Sequence, residues 1–157
     1  MKVKLLMVGK TRERYIDEGF KLYKKRISHY LTIEEQTIDG LKKTKNLLPL
    51  EFKALEGELI QKILKNQDTV VLLDEKGKDF DSVGFAGFVQ KRMNTGAKQL
   101  IFVIGGAYGF SEEIYRRADH KISLSRMTFS HQIIRLIFAE QFYRAMTILK
   151  NEPYHNA

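Results

Sequence analysis

Short apolar runs alternate along this chain with longer segments whose apolar residues recur at helical spacing. The runs predict strands and the longer segments predict amphipathic helices, with polar stretches such as 39–46 as loops. The third predicted strand ends at Leu73, because residues 74–77 have the composition of a turn. The predicted strands are residues 2–8, 31–38, 69–73, 100–104 and 121–124. The predicted helices are residues 11–30, 49–66, one capped by Asp81 or Ser82, one capped by Ser111, and 131–149.

Strands and helices in alternation predict an α/β fold, with a mostly parallel sheet covered by helices on both faces. Ligands of such sheets bind beyond the carboxyl ends of the strands. A length of 157 residues fits one domain with a core of its own. Because the chain has no internal repeat or evident linker, we expect a single domain over residues 1–157.

The last predicted helix is apolar around most of its circumference, whereas a helix at the surface of a domain needs only one apolar stripe. Either its own sheet and neighbouring helices bury it, or a second copy of the chain covers the remaining side. We favour the second explanation and expect a homodimer. The apolar positions are Ile133, Ile134, Leu136, Ile137, Phe138, Phe142, Met146, Ile148 and Leu149.

The chain carries a formal net charge of +8 at pH 7. Such a charge favours polyanions through long-range attraction and counterion release. The alternative is a solvated basic surface without a partner. The excess of basic residues lies in the two ends of the chain, since residues 67–114 are slightly acidic. A basic contact surface would therefore be built from both ends, with its densest cluster at residues 21–26.

The chain contains no cysteine, which removes disulfides and thiolate chemistry and is compatible with a reducing cytoplasm. Its four scattered histidines lack the paired spacing of a metal site, so no bound metal is expected. No apolar run approaches the roughly 20 residues needed to span a bilayer. We expect a soluble cytoplasmic protein with no membrane partner.

Three glycines, Gly105, Gly106 and Gly109, follow the fourth predicted strand. Residues without a Cβ let the backbone turn sharply and approach a ligand closely. An ordinary strand-to-helix turn explains the glycines equally well when they are taken alone. Leu73 and residues 124–129 should emerge from neighbouring strand ends beside them. Together these segments predict a pocket with apolar walls and backbone donors, suited to a purine nucleoside.

Several motifs in combination resemble the SPOUT methyltransferases, and within them the small bacterial methyltransferases of large-subunit ribosomal RNA pseudouridine. The resemblance covers essentially the whole chain. The motifs are VKLLMVGK from Val3, Leu73 and Asp74 with Gly77 and Lys78, IGGAYG from Ile104, SLSRMTFSHQ from Ser123, EQFYRA from Glu140, and PYH from Pro153.

The resemblance implies a trefoil-knotted α/β fold, with the knot and the cofactor site in about residues 70–157, and a homodimer. It implies S-adenosylmethionine as the methyl donor. The implied substrate is a pseudouridine of 23S rRNA, methylated at N3 within the assembled 70S ribosome. By matched position, the residues expected to contact the donor are Leu73, Gly105, Leu124, Ser125, Arg126, Met127, Thr128 and Phe129.

Methylation at N3 requires removal of a weakly acidic proton and stabilisation of the resulting anion. We expect His131 or His155 to transfer the proton, and Arg135 or Arg144 to face the anion or a phosphate. Tyr154 could stack on the target base. The less specific explanations are an exposed pair between Glu140 and Arg144, a structural histidine at a helix start, and a disordered tail.

Two other functions remain open. One is a non-catalytic basic RNA-binding dimer that retains an inactive nucleoside pocket. The other is a SPOUT methyltransferase that acts on a different RNA, such as tRNA, because a fold alone does not fix the substrate. Binding of S-adenosylmethionine and the identity of the labelled RNA would distinguish these functions.

Overall fold

The computed structural model describes residues 1–42 and 45–156, and within them five parallel strands form one sheet in the order β2-β1-β4-β3-β5. Helices lie between successive strands and after the last one. In chain order the elements are β1 (Lys2–Val8), α1 (Arg14–Ile27), β2 (Ile33–Ile38), α2 (Pro49–Ile63), β3 (Thr69–Asp79), α3 (Ser82–Asn94), β4 (Gln99–Ile104), α4 (Glu112–Arg117), β5 (His120–Ser123) and α5 (Ile133–Leu149).

Strand β4 shows why the sheet is covered on both faces. Alternate residues of a strand point to opposite faces. Phe102 packs in one apolar cluster with residues of α1, α3 and α5, while Val103 packs in a second cluster with residues of α2 and α4. Both side chains have no exposed surface. The predicted α/β fold with helices on both faces of the sheet is confirmed, whereas the trefoil knot stays a prediction.

The predicted element order is confirmed throughout, and most boundaries differ by only a few residues. Pro49 opens α2 as expected. Asp81 caps α3 by accepting a hydrogen bond of 2.7 Å from the Gly84 N–H, and Ser111 caps α4. Within the predicted loop 39–46, residues 43 and 44 lie outside the described residues.

One predicted boundary, the end of β3 at Leu73, is wrong because the strand continues to Asp79. Its pairing with β5 breaks in between, since Leu73 and Lys78 both pair with Ile122. The residues between them bulge out of the regular ladder. A Cβ on Gly77 would lie 2.6 Å from the backbone nitrogen of Ile122, so only glycine fits here without a shift of the backbone.

Helix α5 packs between α1 and α3 on one face of the sheet. Phe138 and Phe142 are fully buried, and the apolar residues on its other side, such as Ile133 and Ile137, are half-buried. The chain's own elements therefore bury much of this helix. The homodimer remains a proposal.

A buried arginine attaches the start of α5 to the end of β1. Arg135 is 1% exposed, and its guanidinium donates hydrogen bonds of 2.9 Å to the Val8 carbonyl oxygen and 2.9 Å to Thr11 Oγ1. Its Nε also donates to the His131 carbonyl oxygen at 3.1 Å. The neighbouring Gln132 binds the same turn through the backbone of Lys10 and Arg12. Two segments far apart in sequence are thereby held together.

Replacement of Gly77 by alanine should lower the free energy of unfolding by about 1–3 kcal/mol, because the β5 backbone cannot yield to the added methyl group. Gly87→Ala is the matched control, since an added Cβ meets nothing within 4 Å at this exposed position of α3. Its stability should be unchanged or slightly higher. Denaturant titration measures the free energy of unfolding of both variants. Equal losses of stability would contradict the steric clash assigned to position 77.

Arg135→Met should lower the free energy of unfolding by about 2 kcal/mol or more, because buried oxygen acceptors lose their donors. Arg14→Met provides the control, since the Arg14 side chain is 92% exposed, and should change stability by less than about 0.5 kcal/mol. Thermal and denaturant unfolding test the pair. Wild-type stability of Arg135→Met would disprove the structural role.

Candidate functional site

A cavity of about 430 Å³ opens beside Leu73 of β3 and at the carboxyl ends of β4 and β5. The register explains its position, because Leu73 of β3 pairs with Ile104 of β4 on one side and Ile122 of β5 on the other. The bulge of β3 therefore lies next to the ends of β4 and β5. The loops that follow them form the walls of the cavity.

The turn after β4 forms one wall. The Gly109 N–H donates to the Gly106 carbonyl oxygen at 3.2 Å, which closes a tight turn. Gly109 has a φ of +82°, a conformation that residues with a Cβ rarely adopt. Behind the turn, the Gly106 N–H donates to Glu56 Oε1 at 3.1 Å. The predicted glycine cluster thus forms a turn that lines the cavity.

The opposite wall is the segment after β5, residues 124–130. Ser123 Oγ donates to the Ser125 carbonyl oxygen at 2.6 Å, and the Met127 N–H donates to Ser125 Oγ at 2.9 Å. Thr128 Oγ1 reaches across to Glu75 Oε2 at 2.8 Å, which connects this segment to the bulge of β3. Met127 is 74% exposed, so an apolar side chain at the mouth is open to a ligand or a partner.

Seven of the eight residues predicted to contact a donor line this cavity: Leu73, Gly105, Leu124, Ser125, Met127, Thr128 and Phe129. The eighth, Arg126, does not line it. Its Nε donates to Asp79 Oδ2 at 2.9 Å on the protein surface. The structure therefore brings seven of the predicted binding residues together, while their contact with a donor stays a prediction.

His131 lines the cavity at the start of α5. Burial, together with the nearby positive charges of Arg135 and Arg12, lowers the pKa of His131. The imidazole is therefore neutral near pH 7. Its Nε2 lies 3.5 Å from an Nη atom of Arg12, and because arginine can only donate, this contact favours the tautomer that leaves Nε2 free of a proton. The lone pair on Nε2 is the proton-accepting site of this neutral histidine, and it faces Arg12.

The other predicted catalytic residues do not line the cavity. Arg135 is occupied by the turn after β1, as described above. Arg144, Tyr154 and His155 form a separate cluster around Glu140. The Arg144 Nη2 donates to Glu140 Oε1 at 2.6 Å, Tyr154 Oη donates to the same oxygen at 3.0 Å, and Arg144 Nη1 lies 3.1 Å from His155 Nδ1.

This second cluster, which we call the tail cluster (Glu140, Arg144, Tyr154 and His155), is ordered by the surrounding helices. The Tyr154 ring packs against Tyr143 with its centroid at 4.7 Å. Burial and hydrogen bonds to Tyr23 and Glu140 raise the pKa of Tyr154, so its hydroxyl stays protonated at neutral pH. The tail is therefore docked on α1 and α5 rather than free.

The cavity and the tail cluster lie far apart within one chain. Ile134 lines the cavity, and Arg144 follows ten residues later on α5. That spacing corresponds to a rise of about 15 Å along the helix axis. One chain therefore carries His131 at the cavity and the tail cluster at the other end of the same helix.

Sequence reasoning missed three acidic groups at or near the cavity. Tyr115 donates a hydrogen bond to Asp74, and Glu75 is bonded to Thr128. Glu56 lies behind the glycine turn and is 3% exposed. Its position was detectable, because it falls four residues before the buried Ile60 on the core-facing side of α2. Asp74 and Glu75 line the cavity together with Lys76, so this side carries two carboxylates and one ammonium group in a chain of net positive charge.

Within residues 1–42 and 45–156, no group of three or more histidine or acidic side chains is arranged to hold a metal ion. Across the same residues, every helix is too short or too polar to cross a membrane.

A family model described as "Predicted SPOUT methyltransferase" matches residues 1–155. Three curated relatives carry the name ribosomal RNA large subunit methyltransferase H. They come from Christiangramia forsetii at 59% identity, Parabacteroides distasonis at 54% and Flavobacterium johnsoniae at 51%, each over 99% of this chain and 99% of the relative. These matches confirm the resemblance drawn from the sequence motifs. The chain belongs to the SPOUT methyltransferase family.

Proposed function

We propose that this chain transfers a methyl group from S-adenosylmethionine to N3 of a pseudouridine in 23S rRNA, within the assembled 70S ribosome. The observation that carries the proposal is the cavity between the glycine turn and residues 124–130, in a chain of the SPOUT methyltransferase family. The names of the relatives support large-subunit ribosomal RNA as the substrate. The reaction would then take place in the cytoplasm, where ribosomes work.

The cavity fits the proposed donor in size and charge. A volume of about 430 Å³ lies in the range of sites for small ligands. Apolar walls from Leu73 and Leu124 suit an adenine ring, and the carboxylates of Asp74 and Glu75 suit a cationic ligand. S-adenosylmethionine, when bound, supplies an activated methyl group on a positively charged sulfonium.

The chain's own residues can align the substrate and remove its proton. His131 is neutral and lies at the cavity, so it is our first candidate for accepting the N3 proton, with His155 as the second. Arg144 is held in a fixed orientation by Glu140, and its positive charge suits the developing anion or a phosphate. Tyr154, beside it, offers a ring for stacking on the target base. Positioning of this kind supplies much of the acceleration of a displacement reaction.

A homodimer would bring the cavity-lining residues of one subunit close to the tail cluster of the other. Within one chain the tail cluster is about 15 Å along α5 from the cavity-lining Ile134. A second copy, packed against the half-buried side of α5, could bring its tail cluster to the first copy's cavity. The site would then combine the donor cavity of one subunit with Arg144, Tyr154 and His155 of the other.

The proposal is tested by transfer of labelled methyl from S-adenosylmethionine to ribosomes that lack the modification. Assembled 70S ribosomes, free 50S subunits, naked rRNA and tRNA are compared in parallel. We expect label in one pseudouridine of 23S rRNA, and only with 70S ribosomes. Label in tRNA would identify a different RNA substrate, and donor binding without transfer to any RNA would favour the non-catalytic RNA-binding dimer.

His155→Ala and Tyr154→Ala should each lower methyl transfer at least about tenfold, because each removes one group that positions the substrate. Donor affinity should be unchanged, because both residues are proposed to contact the RNA substrate rather than the donor. Gly105→Leu is the contrasting variant. A Cβ on Gly105 would lie 3.0 Å from the Phe110 ring, which also lines the cavity, so the larger side chain should displace this wall and lower donor affinity. Calorimetry measures donor affinity, and a loss of affinity in the tail variants would contradict their role.

A further inference from the structure

Glu56 is a buried carboxylate that the proposed reaction does not use. It lies on α2 with 3% of its surface exposed, between apolar neighbours of the core. Burial raises the pKa of Glu56, and the hydrogen bond from the Gly106 N–H counteracts part of that effect. A buried carboxylate is costly, whereas an apolar side chain would pack here without that cost. We therefore expect the role of this carboxylate to lie in the glycine turn that it contacts.

The hydrogen bond from Gly106 fixes the orientation of one peptide group. The Gly106 N–H lies 3.1 Å from Glu56 Oε1, so this N–H points towards α2. In a trans peptide the carbonyl points opposite to the N–H. The Gly105 carbonyl, which belongs to the same peptide, therefore points away from Glu56, and Gly105 itself lines the cavity.

The fit between Glu56 and the glycine turn is close. A Cβ on Gly106 would lie 2.7 Å from each carboxylate oxygen of Glu56, so any larger residue would have to displace the carboxylate. The next residue of α2, Gly57, approaches Ser111 in the same way, since its Cβ would lie 2.5 Å from Ser111 Oγ. Helix α2 thus contacts both ends of the segment 105–111. Two close contacts leave this segment little freedom to rotate its peptides.

We propose that Glu56 is a positioning residue of the donor cavity: its carboxylate holds the Gly105–Gly106 peptide so that the Gly105 carbonyl accepts a hydrogen bond from an amine or hydroxyl group of the bound ligand. This inference rests on the proposed function for the identity of the ligand, S-adenosylmethionine. Glu56 does not touch the ligand. It acts through the peptide, so its loss should affect donor binding rather than the chemical step.

Three variants distinguish the role of Glu56 as a hydrogen-bond acceptor from its contribution to packing. Glu56→Gln keeps an oxygen acceptor of the same shape, while Glu56→Met keeps the volume of the side chain and removes the acceptor. Glu58→Gln, at an exposed position of the same helix, is the control. Calorimetry measures the dissociation constant of S-adenosylmethionine, and methyl transfer to 70S ribosomes measures KM for the donor and kcat. The amide proton shift of Gly106 reports the hydrogen bond directly.

Glu56→Met should raise both the dissociation constant and the donor KM about tenfold, the effect of one lost hydrogen bond. Its kcat at saturating donor should stay within about threefold of wild type, and the Gly106 amide proton should move upfield. Glu56→Gln and Glu58→Gln should bind the donor within about threefold of wild type. If Glu56→Met does not fold, Glu56→Gln decides, since donor binding lost in this variant would overturn the inference.

Wild-type donor affinity in folded Glu56→Met would also overturn it, as would a fall in kcat with an unchanged donor KM. Absence of donor binding by the wild-type chain is a different result. It would refute the proposed function, while the Gly106 amide shift would still show whether Glu56 orients the peptide.

Discussion

The parallel pairing of β4 between β1 and β3 is the constraint on which the rest of the molecule depends. Residues 100–104 of β4 are buried on both faces of the sheet. Burial on both faces favours one hydrogen-bonding register of this strand with β1 and β3. Parallel pairing then brings the bulge of β3 and the carboxyl ends of β4 and β5 to one edge. Because the bulge and the loops after β4 and β5 leave the regular ladder there, the cavity is a consequence of the register of the core.

Polar contacts between distant segments give the cavity its shape. Arg135 attaches α5 to the end of β1, Glu56 fixes the glycine turn, and Thr128 connects the opposite wall to β3. Each contact includes either a residue that lines the cavity or the sequence neighbour of such a residue. Arg135 and Glu56 are buried, and buried polar groups are costly unless they are hydrogen-bonded. Their bonds therefore favour one arrangement of the segments that they join.

Charge is divided between the cavity and the rest of the molecule. The net charge is +8, yet carboxylates of Asp74 and Glu75 line the cavity. The proposed cationic donor and polyanionic substrate would need opposite surroundings, and this division suits both.

Much of the fold could be predicted from the sequence because its signals are local. Apolar runs identify the strands, and Asp81 and Ser111 cap helices through bonds to residues three positions later. The continuation of β3 past Leu73 could not be predicted, because it depends on a close approach of Gly77 to β5. The seven cavity residues were accessible through strand ends and motifs. The roles of Arg135 and Glu56 were not, because their partners are distant in sequence.

The proposed reaction requires that the cavity between the glycine turn and residues 124–130 holds the methyl donor. A crystal structure of the chain with S-adenosylmethionine tests it most directly. We predict that the adenosine lies against Gly105 and Leu124, with the tail cluster of a second copy at the mouth of the cavity. A donor bound elsewhere on the chain, with this cavity empty, would contradict the account.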